Sequence, residues 1–191
     1  MQMCRSPFPC IDHLIFPVVI VIISSVIGPG WKKIYAHDIA GGVFANLDEA
    51  KKKNVQNETA ALFSILYDLE SMRDSNGMFH FKLCYPERTE HDFPCNEWKQ
   101  RSNPVVESTI QGFVGIHLTW PLRSDGGSFE GLLKSNPTYN LMDDDPGNRW
   151  FNSVGTISYY KGQIPGPVLA GSNGITVNKK EMYVYAAGKP M

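Results

Sequence analysis

The sequence predicts a β-rich α+β fold, an antiparallel β-sandwich-like domain with one amphipathic helix near residues 59–72. Three observations lead there. Seventeen Gly, 13 Pro and 12% aromatic residues in a chain of 191 describe a turn-rich protein and exclude a coiled coil or a disordered chain. Short segments of alternating apolar and polar residues recur between clusters of Gly, Pro, Asn and Asp, the pattern of strands separated by turns. A single stretch carries apolar residues at steps of three and four, as a helix with one buried face requires.

The first segment to explain is Leu14 to Ile27, which is uncharged and almost wholly apolar. It is shorter than the roughly 17–25 residues of a spanning helix and suits the apolar centre of a secretory signal peptide. The small residues Ser24, Ser25, Gly28 and Gly30 follow it. Residues 1–30 are therefore expected to be a signal peptide, with cleavage near Gly28 or Gly30, and residues 31–191 a single extracellular β-rich domain. The alternatives are an uncleaved membrane anchor, a buried strand, and a misassigned first exon. Only Arg5 supplies positive charge ahead of the apolar stretch, and Asp12 lies close before it.

Trp31 to Tyr35 alternates apolar and polar residues and reads as an opening strand, ended by the Gly41-Gly42 break. Asn46 with Glu49 three residues on marks a short helix start, and Lys51 to Lys53 suit the negative end of that helix dipole. The longest basic run thus has a local explanation. Thr59 to Met72 is the expected amphipathic helix, with Leu62, Phe63, Ile65, Leu66, Leu69 and Met72 on one broad face. Asn57-Glu58-Thr59 ahead of it is an N-glycosylation sequon. Met78 to Cys84 reads as a strand with Phe79, Phe81 and Leu83 on one face, and His80 and Lys82 on the other. Further strands are expected at Thr109 to Trp120, with Ile110, Val114, Ile116 and Leu118 on one face, at Trp150 to Tyr160, and at Glu181 to Tyr185.

Removing residues 1–30 takes away Cys4 and Cys10 and leaves Cys84 and Cys95, an even pair in a chain expected to cross an oxidising compartment. A Cys84–Cys95 disulfide is expected; the alternative is two reduced, buried thiols. The same removal takes one basic and one acidic residue, so the net charge stays at -1. That balance argues against a nucleic-acid partner, which calls for a basic face.

Motifs of common enzymes are missing: the sequence holds no G-x-S-x-G, H-E-x-x-H, P-loop or G-x-G-x-x-G. No spacing selects a carboxylate pair for glycoside hydrolysis, although acids distant in sequence can converge in space. The sharpest cluster is Asp143-Asp144-Asp145-Pro146-Gly147-Asn148. It offers hard oxygen ligands of the kind Ca²⁺ takes, without the spacing of an EF-hand; the competing reading is a solvated acidic turn. Aromatic residues beside polar ones are the second cluster, Trp98 and Trp150 chief among them, because a flat ring flanked by amides and carboxylates can hold a sugar. Trp98 is the first choice, in the polar run Cys95 to Pro104 with Asn96 beside it.

Phe79 to Glu87, Cys95 to Pro104, Gln111 to Phe113, Asp143-Asp144, Trp150 to Gly155, and Ile164 to Pro167 ahead of Glu181 to Val184 together resemble an uncharacterised secreted module of marine invertebrates, of the kind found in cnidarian and mollusc extracellular proteins. The resemblance runs from about Trp31 to Tyr185. It implies an extracellular module with paired cysteines and assigns no catalytic residue.

The sequence thus points to a secreted, non-enzymatic recognition module for a glycan or an extracellular-matrix component. The candidate ligand-binding residues are Trp98, Asn96, Asp143, Asp144, Asp145, Asn148 and Trp150, and Ca²⁺ at Asp143 to Asp145 is the one cofactor considered. A secreted hydrolase with an acid pair and a purely structural matrix module are the alternatives.

Overall fold

A computed structural model describes residues 27–88, 94–119, 128–135, 137–144, 152–158, 168–169, 175–176 and 178–186. In chain order the strands are β1 (Trp31–Asp38), β2 (Leu62–Ser64), β3 (Phe79–Cys84), β4 (Cys95–Gln100), β5 (Val114–Leu118), β6 (Leu133–Lys134), β7 (Met142–Asp143), β8 (Val168–Leu169), β9 (Ile175–Thr176) and β10 (Lys179–Tyr185). A short helix, α1 (Leu47–Lys51), lies between β1 and β2. Six strands form one sheet in the order β2-β1-β10-β3-β4-β5, every neighbour antiparallel; β6–β7 and β8–β9 are separate two-stranded ladders. The β-rich α+β class is as the sequence predicts.

Alternation divides the large sheet into two faces. Phe79, Phe81 and Leu83 of β3 are fully buried, as expected, and lie in register with Gln100, Trp98 and Asn96 of β4. This inner face packs on Phe129, Leu132, Leu141, Met142 and Val154. The covering layer is therefore the small β6–β7 ladder and irregular chain rather than a second full sheet among the described residues. Gly131 shows how closely that layer approaches: its φ is +103°, and a Cβ there would sit 2.7 Å from Gln100 Oε1. Only glycine meets both demands.

In β1 a bulge between Lys33 and Tyr35 resets the alternation. As a result Trp31, Lys33, Ala36 and Asp38 all lie in register with the outer-face row Tyr185, Tyr183, Glu181 and Lys179 of β10, an example of a bulge re-aiming side chains. Ile34 and Tyr35 remain buried in the core.

Two helical expectations fared differently. Asn46 caps α1 as predicted, accepting from Asp48 N and Glu49 N at 3.0 Å. Glu49 reaches back to Ala45 N and forward to Lys53 Nζ at 2.8 Å. The amphipathic helix at 59–72 is corrected. Leu62–Ser64 is strand β2 and Leu66–Met72 is a 3-10 helix. Pairing decides the first half: Phe63 lies opposite Ala36, Ser64 N and O bond Lys53, and Ile65 N donates to Ile34 O. In the second half the buried residues Leu66, Leu69 and Met72 step by three, which three residues per turn bring onto one line.

The expected strand face of Ile110, Val114, Ile116 and Leu118 is also corrected: a bulge at Glu97/Trp98 sets Val114 in register with Lys99 but Leu118 with Asn96, on opposite faces, and Ile110 lies outside β5. Within Trp150 to Tyr160, only Val154 makes a bridge among the described residues, to Met142. Residues 150, 151, 159 and 160 lie outside them.

Cys84 and Cys95 stand opposite each other on β3 and β4 and form the expected disulfide across a separation of 11 residues. Ile27 packs on this bridge and on Tyr183, and its carbonyl accepts from Lys82 Nζ at 3.2 Å. The residue just ahead of the expected cleavage positions thus contacts the outer sheet face; residues 1–26 lie outside the described residues. We expect Cys84→Ala/Cys95→Ala to lower the free energy of unfolding by about 3 kcal/mol through the freed unfolded chain, read as a fall in urea midpoint. An unchanged midpoint, or the same midpoint for the reduced wild type, would count against a stabilising bridge. No helix among the described residues is long and apolar enough to cross a membrane.

Candidate functional site

Trp98 and Asn96 do not reach the surface. Both are fully buried on the inner face of β4. The Trp98 ring lies 5.3 Å from Phe81 and 4.9 Å from Phe129, and its Nε1 donates to Gln100 Oε1 at 2.8 Å. This corrects the expectation of a ligand-facing Trp98, because stacking against a sugar needs an open ring face. Sequence reasoning placed it outside on account of its polar neighbours, yet two of those, Asn96 and Gln100, point inward with it.

Asp143 and Asp144 are buried as well, which corrects the solvated acidic turn. Asn140 Nδ2 donates to Asp143 Oδ2 at 2.9 Å, Asn152 Nδ2 to Asp144 Oδ2 at 2.8 Å, and Asp144 N to Asp143 Oδ1 at 2.8 Å. Tyr85 OH donates to Asn152 Oδ1 at 2.5 Å and Ser135 Oγ to Asn140 Oδ1 at 2.7 Å. Lys180, also buried, donates through Nζ to Ser153 O at 2.6 Å.

Burial, reinforced by the neighbouring Asp144 charge, pushes the Asp143 carboxyl well above the usual range. Burial pushes the Lys180 ammonium down to about 7 against the pull of both aspartates. Hydrogen bonds offset the cost of burying polar groups, and these bonds pin β7, the 152–153 segment and β10 together.

Both carboxyls are buried and bonded to Asn140 and Asn152. Glycosidase carboxyls flank the bond they break, on either side of a bound sugar, a placement that this buried pair of consecutive residues does not offer. Among the described residues no group of three or more His, Cys, Asp or Glu is placed to hold a metal ion. Asp145, Asn148 and Trp150, named with Asp143 and Asp144 as ligand or Ca²⁺ residues, lie outside the described residues.

The outer face holds what the sequence did not single out. A cleft of about 230 Å³ runs over β1 and β10 and is walled by residues 58–61. Lys33, Asp38, Glu58, Thr59, Lys179 and Glu181 line it. Lys33 Nζ lies 2.6 Å from Glu181 Oε1 and Lys179 Nζ 3.0 Å from Asp38 Oδ2; Tyr183 OH donates to Glu181 Oε2 at 2.5 Å. The Asp38 carboxyl, although burial opposes it, is held below its usual range by hydrogen bonds from Ala40 N and Lys179. The same contact raises Lys179.

Beyond Lys33 the face becomes aromatic. Trp31 makes edge contacts with His80 at 4.7 Å and Tyr185 at 5.5 Å, and Lys82 Nζ lies 4.3 Å from its ring. His80 is an outward strand residue, as expected, bonded to Glu97 at 2.8 Å. Lys33 and Glu181 are 148 residues apart, so no spacing rule could join them. The one local signal was the sequon: Asn57 is exposed at the rim, next to Glu58 and Thr59.

Fold and site together describe a β-rich α+β protein with a charged, aromatic-flanked cleft on the outer face of one antiparallel sheet. No protein-family model, no curated protein and no solved structure matches the chain.

Proposed function

We propose that the protein is a secreted, non-enzymatic recognition module that takes a neutral, hydroxyl-rich ligand, a glycan of the extracellular matrix or cell surface, in the outer-face cleft. The observation that carries this reading is the lining itself: the ammonium groups of Lys33 and Lys179, three carboxylates and a hydroxyl converge on one concavity, while Lys180, which also lines it, turns its own ammonium inward to Ser153 O. Carboxylates only accept hydrogen bonds and ammonium groups only donate. A simple anion or cation meets repulsion from part of the lining, whereas sugar hydroxyls both donate and accept. At about 230 Å³ the cleft is smaller than the roughly 300–1,000 Å³ of drug-sized pockets, and so suits one sugar ring at a time. The Trp31–Tyr185 row beside it supplies apolar ring surface, and the disulfide is in keeping with an oxidising compartment.

A glycan array run with and without calcium tests the proposal. Retention of a saccharide without turnover is expected, and Glu58→Ala should weaken it by about tenfold, the equivalent of one charged hydrogen bond. Release of a cleaved product would instead favour a hydrolase, and silence across the array a structural matrix module.

A further inference from the structure

The cleft and the sequon share a segment, and the turn that presents them is well defined. Asn57 N donates to Asn54 O at 2.7 Å and Ala60 N to Asn57 O at 3.2 Å, so a turn lies on each side of Asn57. Asn57 Oδ1 accepts from Thr59 Oγ1 at 2.7 Å and from Thr59 N at 3.2 Å. The side chain is exposed and its Nδ2 donates to none of the described residues. The next four residues, Glu58 to Ala61, form the cleft wall. A glycan attached to Asn57 therefore begins at the rim of a concavity whose lining matches saccharide hydroxyls.

We infer that Asn57 is glycosylated and that the first rings of its own glycan occupy the cleft, which makes the attached sugar an internal competitor for any external ligand. The inference rests on the reading of the cleft as a saccharide site. In the attachment step Asn57 Nδ2 bonds to the anomeric carbon of an oligosaccharide carried on a lipid diphosphate. The bond from that carbon to the phosphate oxygen breaks, the lipid diphosphate leaves, and Nδ2 releases one proton. Asn57 backbone bonds and the Thr59 contact hold the attachment point close to the wall, so the tethered sugar is present at high effective concentration while an external glycan must arrive from solution.

Amine acylation read by mass spectrometry tests this on the full chain secreted from a glycosylating host. Lys179 lines the cleft and its side chain is half exposed, while Lys134, on β6, serves as the internal reference. The expected results are a glycan on Asn57 and Lys179 labelling that is about tenfold slower in the glycosylated protein than after enzymatic removal of the glycan, as for a site uncovered roughly one part in ten of the time. Lys134 labelling should not change. An unmodified Asn57, or equal Lys179 labelling before and after removal, overturns the inference. Free N,N′-diacetylchitobiose added to Asn57→Gln separates the two proposals. Protection of Lys179 by the free disaccharide but not by the attached glycan overturns only the internal-competitor inference. Protection by neither overturns the cleft reading as well.

Discussion

Trp98→Ala is expected to lower the free energy of unfolding by about 3–5 kcal/mol, the range for removing a buried Trp or Phe from a core. The ring is fully buried between Phe81 and Phe129, so truncation forfeits its packing and leaves a cavity that neighbouring β-strands cannot close. A second loss adds to this. Trp98 Nε1 donates to Gln100 Oε1, which also accepts from Leu132 N at 3.0 Å. Gln100 Nε2 in turn donates to Ser102 O and to Leu132 O, each at 2.9 Å. Gln100 thereby fastens the end of β4 to the layer that covers the inner face, and Trp98 is part of that clasp.

Trp98→Phe keeps most of the ring volume and gives up one hydrogen bond, so a loss of about 1–2 kcal/mol is expected. Urea unfolding of both variants measures the effect. Saccharide binding by the folded Trp98→Phe protein should match wild type. Normal stability combined with lost binding would restore Trp98 to the ligand site and overturn its assignment to the core.

Acidification from pH 6.5 to 4 should remove about 3 kcal/mol of stability through His37 alone. Its ring is almost wholly buried, its Nε2 donates to Gly42 O at 2.8 Å, and burial pushes its pKa down to about 4. The aromatic neighbours are Phe44, at 5.6 Å, and Tyr35, at 6.4 Å; the charged ones are Lys180, which opposes protonation, and Asp38, which favours it. Between pH 4 and 6.5 the unfolded chain takes up a proton on this imidazole that the folded protein does not. Stability is therefore complete above 6.5 and lost as pH falls towards 4, at about 1.4 kcal/mol for each pH unit.

Asp143 acts with the opposite sign. Its raised pKa keeps the proton in the folded state, so acid favours folding through that group. A difference measurement isolates His37. His37→Gln keeps an amide donor for Gly42 O and cannot titrate; denaturation at pH 7, 5.5 and 4 should show wild type losing about 3 kcal/mol more than the variant. Parallel curves would mean that His37 is not held neutral in the fold.

Local patterns were legible in the sequence where local forces decide the outcome. The Phe79, Phe81, Leu83 alternation became a buried strand face, Asn46 became a helix cap, and Cys84 and Cys95 became a bridge because a short hairpin carries both. Leu62 to Met72 misled for a physical reason: apolar residues at steps of three and four suit an α-helix, but the exposed edge of β1 offered Leu62–Ser64 a strand partner. Tertiary pairing outweighed helical spacing.

The candidate site was the least legible part. Polar neighbours suggested that Trp98 faced solvent, and the acidic run at Asp143 suggested a solvated loop. Both face the interior, where amide side chains from Gln100, Asn140 and Asn152 bond Trp98 Nε1, Asp143 Oδ2 and Asp144 Oδ2. The outer cleft joins β1 to β10 and to the turn at 58–61, a meeting that depends on sheet order and on the bulge at Ile34 rather than on any short motif.

The position of β10 between β1 and β3 has a consequence for how the chain acquires its structure. Trp31 pairs with Tyr185, so the middle of the sheet joins segments from opposite ends of the described chain. During synthesis β1 emerges early and must wait, with only β2 to pair with, while β3, β4 and β5 can assemble on their own through shorter loops. The sheet closes only when β10 arrives and inserts between the two halves. Closing so long a loop is entropically unfavourable, and contacts this distant in sequence slow folding. Commitment to the native sheet, and with it assembly of the β1–β10 cleft, is thus expected only once β10 has been synthesised.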